Sequence, residues 1–156
     1  MGEPAWAPHL RSRARLRSAL KRHFVDPSLA VAALGASPNR LLDDLELLGF
    51  LFESMVVRDL RVYAQASNAR VLQYRDETGL EVDAIIEAAD GTWAAFEVKL
   101  GGALIDEGAE NLLSFAGRVD TDRCGVPAVL GVISASGIGF KRPDGILVIP
   151  IGALGP

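Results

Sequence analysis

The stretch Leu80–Leu100 constrains the fold more than any other part of the chain. Two β-rich segments, Leu80 to Ala88 and Thr92 to Leu100, flank Ala89-Asp90-Gly91. A three-residue loop with its glycine in the left-handed conformation is the common type I turn followed by a bulge. That loop pairs residues whose numbers sum to 180, so Ala88 faces Thr92, Ile85 faces Ala95 and Asp83 faces Glu97. A two-residue loop would shift the register by one and turn Glu97 to the other face. Strand alternation puts Glu97 and Lys99 on one face and Phe96, Val98 and Leu100 on the other. The apolar face is expected to pack on a helix.

Helical spacing supplies candidates. Leu45, Leu48, Phe52, Val56 and Leu60 recur at three- and four-residue intervals within a helix expected from about Leu41 to Tyr63, capped by Ser37 or Asn39. Asp26-Pro27-Ser28 reads as the start of a shorter helix, Ser28 to Leu34, ending at Gly35. Arg70 to Tyr74 is a further β-rich segment, Ile105 to Phe115 returns to helical spacing, and Ala128 to Ser134 and Ile146 to Pro150 read as strands. Gly137-Ile138-Gly139-Phe140-Lys141 reads as a loop. The order α-α-β-β-β-α-β-β predicts an α/β fold with a mixed central sheet flanked by helices. Residues 1–9, rich in Pro and Gly, are expected to be loose, and residues 10–21 to form a short basic helix or stay extended. The chain thus divides into an N-terminal arm, 1–23, and one domain, 24–156, as its 156 residues allow.

Charge is unevenly spread. From His9 to His23 the chain carries Arg11, Arg13, Arg15, Arg17, Lys21 and Arg22 and no acid, whereas from Asp26 onward nineteen acids face ten Lys and Arg. Such a basic arm suits nucleic acid; it equally suits a solvated face at the edge of a larger protein. No apolar run reaches the roughly 18–20 residues that span a bilayer, and Met1 to Leu10 has no signal-peptide core. The single Cys124 excludes an internal disulfide and argues against a Cys-based zinc site. A cytoplasmic setting is expected.

Chemistry gathers on one face of the hairpin. Cross-strand neighbours lie about 5 Å apart at Cβ, so Asp83 and Glu97 would repel unless positive charge lies between them. Lys99 supplies part of that charge, and a divalent cation supplies more. Mg²⁺ (or Mn²⁺) takes carboxylate oxygens. Glu53 is the only charged residue between Leu47 and Val57. Buried and unpaired it would be costly, so it needs a metal, a lysine or a backbone donor. The competing reading is a surface salt-bridge ladder, with Glu81 opposite Lys99, and a solvent-facing Glu53. His9 and His23 read as solvated arm residues and Cys124 as incidental; Tyr74 and Arg75 read as substrate-facing or, in preference, Tyr74 as half of a cross-strand aromatic pair. Asp106, Glu107 and Glu110 read as an exposed first helical turn.

Asp83 followed after a hairpin by Glu97-Val98-Lys99, with a helical Glu53 upstream, resembles the PD-(D/E)xK signature, although Val82 stands where that name has Pro. The wider text "FVDPSLA", "LGFLFESMVVRDL", "YRDETGLEVDAII" and "FEVKLG" resembles the C-terminal domain of a large family of uncharacterised prokaryotic AAA+ ATPases. The likeness runs from Phe24 to Phe115. It implies a restriction-endonuclease-like core, α-β-β-β-α-β, with Glu53, Asp83, Glu97 and Lys99 at catalytic positions. It also implies a metal held by Asp83, Glu97 and the Val98 backbone carbonyl. By the same resemblance the stretch before Phe24 is a winged-helix remnant and an N-terminal AAA+ ATPase module is the partner; a start close to that expected boundary favours a piece of a longer protein over a natural short one. No G-x-x-x-x-G-K-[ST] occurs here, so no ATP-binding residues are assigned. Two functions are therefore expected. One is Mg²⁺-dependent hydrolysis of phosphodiesters in DNA. The other is a catalytically inactive accessory domain that binds DNA or protein and couples to the ATPase. The acidic body keeps the second in play, because after Lys99 only Arg118, Arg123, Lys141 and Arg142 offer positive charge.

Overall fold

The computed structural model describes residues 1–11, 15–17 and 19–155. Along the chain these form β1 (Gly2–Glu3), β2 (Lys21–Arg22), α1 (Pro27–Ala33), α2 (Pro38–Asp43) and α3 (Leu45–Ala66). There follow β3 (Ala69–Arg75), β4 (Glu81–Ala88), β5 (Trp93–Lys99), α4 (Ile105–Arg118), α5 (Thr121–Cys124), β6 (Val129–Ser134), β7 (Phe140–Lys141) and β8 (Leu147–Pro150). The expected mixed sheet is present, with strand order β3-β4-β5-β6-β8-β7. β3, β4 and β5 run antiparallel, β5, β6 and β8 are parallel, and β7 returns antiparallel. The run α3-β3-β4-β5-α4-β6 reproduces the order α-β-β-β-α-β.

Turn chemistry sets the central hairpin. Gly91 has φ +85°, the conformation that costs a residue without Cβ little. The Ala88 N–H donates to the Thr92 carbonyl at 2.9 Å, and Ala84↔Phe96 and Ile85↔Ala95 keep the register whose numbers sum to 180. Alternation then sorts the side chains into two layers. Ile85, Trp93 and Ala95 pack with Tyr74 against Ala109, Leu112 and Phe115 of α4. Ala84 and Phe96 pack with Val71 and Ile133 against Phe52, Val56, Val57 and Leu60 of α3. The apolar face of β5 thus meets a helix, as alternation requires.

Three expectations are corrected at the helices and loops. The helix expected from Leu41 is two, because Asp44 (φ −122°, ψ 79°) leaves the helical region and its carboxylate accepts the Leu47 N–H at 3.0 Å, capping α3. Ser37 caps α2. Phe140–Lys141, read as loop, is the edge strand β7. Tyr74 makes no cross-strand aromatic pair; its ring packs on Phe115 of α4 at 4.7 Å, and its hydroxyl donates to Asp76.

The arm departs most from expectation. Residues 1–9 are not loose: β1 pairs with β2, and Trp6 is buried 5.0 Å from Trp93 with its indole N–H on Glu87. His23 is not solvated. It is buried against the fully buried Glu3, Nε2 to Oε2 at 3.1 Å, next to the pairing of β1 with β2. Of the two courses expected for 10–21, the described residues take the extended one: Leu10 and Arg11 pair with Val119 and Arg118 at the end of α4, and Leu16 and Arg17 lie at the outer edge of β3, as do Pro4 and Trp6 before them. There Trp6 N–H donates to Gln73 O at 2.7 Å, Gln73 N–H to Pro4 O at 3.0 Å and Arg17 N–H to Arg75 O at 2.9 Å. Among the described residues, no helix is long and apolar enough to cross a membrane.

Candidate functional site

Where β4 separates from β5, a backbone bond is replaced by a side chain. Their pairing ends at Ala84↔Phe96, and the next hydrogen-bonded pair in that ladder would be Val82 with Val98. Instead the Val98 N–H donates to Asp83 Oδ2 at 3.0 Å. The N–H and C=O of an extended residue point to the same edge, so the Val98 carbonyl faces the Asp83 side as well. The splayed strands open a cleft of about 620 Å³ with six carboxylates on its walls: Glu53, Glu81, Asp83, Glu97, Glu107 and Glu110.

Glu97 lies deepest, 4% exposed. Asn111 of α4 donates to its Oε1 at 2.8 Å, and Lys99 lies 3.3 Å from its Oε2. Burial and then the Asp83 charge push its carboxyl up to about 8, against the opposing pull of Lys99 and Asn111. Lys99 also meets Glu107 at 3.1 Å. Burial works against the Lys99 ammonium, but Glu97, Glu107 and Asp83 outweigh it and its pKa is raised. Glu53 approaches from α3. Burial, followed by Asp83, raises its pKa, and Lys21 opposes both.

Lys21 is the unexpected member. Its Nζ lies 2.6 Å from Glu53 Oε1 and 2.9 Å from Asp83 Oδ1, clamping α3 to β4. The Glu53 contact is close but off the hydrogen-bond direction, so Glu53 Oε1 has a counter-charge without a directed bond. Burial opposes the Lys21 charge; Asp83 and Glu53 more than offset it, and its pKa is raised. Lys21 therefore faces the acids of the cleft. Of its neighbours in the basic stretch, Arg11 turns onto the Val119 carbonyl and the Thr121 hydroxyl. Arg15, Arg17 and Arg22 are exposed, and Arg13 lies outside the described residues.

The structure thus brings Glu53, Asp83, Glu97, Val98 and Lys99 to one cleft. Glu81 does not face Lys99; it pairs with Arg75 at 2.8 Å. The sequence reading missed Lys21 and Asn111 as parts of the site. Asn111 had a readable signal, since it lies one turn from Glu107 on the same face of α4; Lys21 had none. Cys124 is half-buried and its Sγ accepts the His9 N–H.

A family model for a domain of unknown function, DUF4143, matches residues 48–154. The chain belongs to the DUF4143 family. The matched stretch carries Glu53, Asp83, Glu97, Lys99 and Asn111, and Lys21 lies before it. Neither a curated protein nor a solved structure matches the chain.

The cleft gathers oxygen donors and negative charge, the kind of surroundings a hard divalent cation takes. Burial and then the nearby Asp83 charge disfavour the ionised form of Glu97, and a cation between the two carboxyls would offset both. Among the described residues, no three His, Cys, Asp or Glu side chains are already grouped to hold an ion. Lys21 occupies the approach between Glu53 and Asp83, so Asp83 and Glu97, with the Val98 carbonyl turned their way, are the donors left for one.

Proposed function

We propose that this DUF4143 domain is a nuclease-like module of the PD-(D/E)xK type that hydrolyses DNA phosphodiesters with Mg²⁺ or Mn²⁺. The observation that carries the reading is the juxtaposition of Asp83, Glu97 and Lys99 beside the peeled edge of β5, where Asp83 takes the Val98 N–H. Asp83, Glu97 and the Val98 carbonyl would hold the ion. When bound, it would withdraw charge from the phosphate and lower the pKa of a nearby water. Lys99, steadied by Glu97 and Glu107, orients that water or meets the charge of the pentavalent phosphate. Asn111 fixes the Glu97 carboxylate by donating to it and to the Glu81 carbonyl at once.

A second reading has its own observation. Six carboxylates around one cleft repel a polyanion there, which disfavours cutting at the cleft and favours an accessory domain that binds protein, or DNA on another face. In both readings the partner is an AAA+ ATPase module, for which the resemblance of the sequence is the support, and the setting is cytoplasmic. Supercoiled and linear DNA incubated with the protein in Mg²⁺ or Mn²⁺ separate the two. Cleavage lost in Asp83→Ala and in Lys99→Ala supports the enzyme. No cleavage with either metal, with DNA or partner binding kept in both variants, supports the accessory domain.

A further inference from the structure

Resting on the metal reading above, we propose that Lys21 is a resident cation of the site. Its ammonium holds the position between Glu53 and Asp83 that a second divalent ion would otherwise take, so the cleft binds one ion and not two. Contact geometry is the first support. One positive group lies 2.6 Å and 2.9 Å from carboxylates on two different elements, α3 and β4, as a bridging ion would.

Delivery is the second. Lys21 is not a swinging surface lysine, because β2 is tied down on both sides. The Met1 ammonium donates to the His23 carbonyl at 2.8 Å, the Gln73 amide donates to the Ala19 carbonyl at 3.0 Å, and the buried Glu3–His23 pair lies beneath.

Charge balance is the third. Glu53, Asp83 and Glu97, when ionised, face the ammoniums of Lys21 and Lys99, which leaves one negative charge. A single divalent ion overshoots by one, which the surrounding Glu81, Glu107 and Glu110 absorb. A second ion beside Lys21 would set two like charges against each other over the same pair of carboxylates. Without Lys21, Glu53 and Asp83 are open to that second ion. Because Lys21 precedes the matched stretch 48–154, the number of ions is set from outside the family region.

The test counts Mn²⁺ bound to the 156-residue chain, from the electron paramagnetic resonance of free Mn²⁺ and by calorimetry. One ion is expected in the wild type and in Lys21→Arg, two in Lys21→Met, and one again in Lys21→Met/Glu53→Gln. Glu53→Gln alone is expected to keep the single ion, with a loss of affinity no larger than the roughly 10–100-fold of an outer-shell change, which holds the test open if Lys21→Met does not fold. Two ions in the wild type, one ion in a folded Lys21→Met, or loss of the ion in Glu53→Gln would overturn the role of Lys21 while leaving the metal reading standing. No Mn²⁺ in any of these proteins would overturn both.

Discussion

Replacing Glu97 by glutamine isolates the energetics of the buried carboxyl. Glu97 titrates near 4.5 when unperturbed and is pushed up to about 8 in the fold. Between those values the folded state holds a proton that the unfolded chain has released. Raising the pH therefore lowers stability across that window, with a limiting slope of about 1.4 kcal/mol per pH unit for one proton. In Glu97→Gln the side chain cannot ionise, yet it keeps the shape and an oxygen for Asn111, and Lys99 still has Glu107. Over roughly two pH units the wild type should lose about 1–3 kcal/mol relative to Glu97→Gln, or a few degrees of Tm for a chain of this size. Urea unfolding of both proteins at several pH values between the unperturbed 4.5 and about 8 measures it. Subtracting the two curves removes the contribution of Glu53, whose raised pKa acts in the same direction. A difference that stays flat, or a wild type that gains stability over Glu97→Gln as pH rises, would mean that Glu97 is already ionised in the fold, and the electrostatic argument fails.

Other perturbations test other links. Saturating Mg²⁺ should flatten the pH slope of the wild type and leave that of Asp83→Ala unchanged, read by the same unfolding series. Trp6→Ala should cost about 3–5 kcal/mol in urea unfolding, as truncating a buried aromatic does, because the indole lies against Trp93 and donates to Glu87; a cost near zero would make the arm dispensable. Asp44→Ala removes the cap on Leu47 N–H and should cost about 1 kcal/mol with a loss of helical circular dichroism. Gly131→Ala brings a new Cβ to 3.1 Å from the Phe96 ring, and a destabilisation of about 1–3 kcal/mol is expected from overpacking.

The hairpin was legible because its information is local. A loop of three residues ending in glycine dictates a register, and the register dictates which side chains share a face, so Asp83, Glu97 and Lys99 were found without any long-range contact. Helix α3 was legible from its buried stripe; its true start was not, because leucines continue in phase across Asp44 while a single carboxylate changes the backbone. The arm was illegible for the opposite reason. Its described residues are extended and offer no period, and their order comes from partners far along the chain: Gln73 for Pro4 and Trp6, Asp83 for Lys21. Lys21 looked like one more member of a basic run, and only the fold distinguishes it from Arg22, the exposed residue beside it.

The path of the arm along β3 has a consequence for how the protein behaves in company. β3 is one of the two edge strands of the six-stranded sheet, and such a strand offers its unpaired backbone groups to any passing chain. Pro4, Trp6 and Arg17 already bond to Gln73 and Arg75 on that side, so the protein carries its own guard against edge-to-edge stacking. A chain shortened to the family stretch would lose that guard, and self-association through the bare strand should follow.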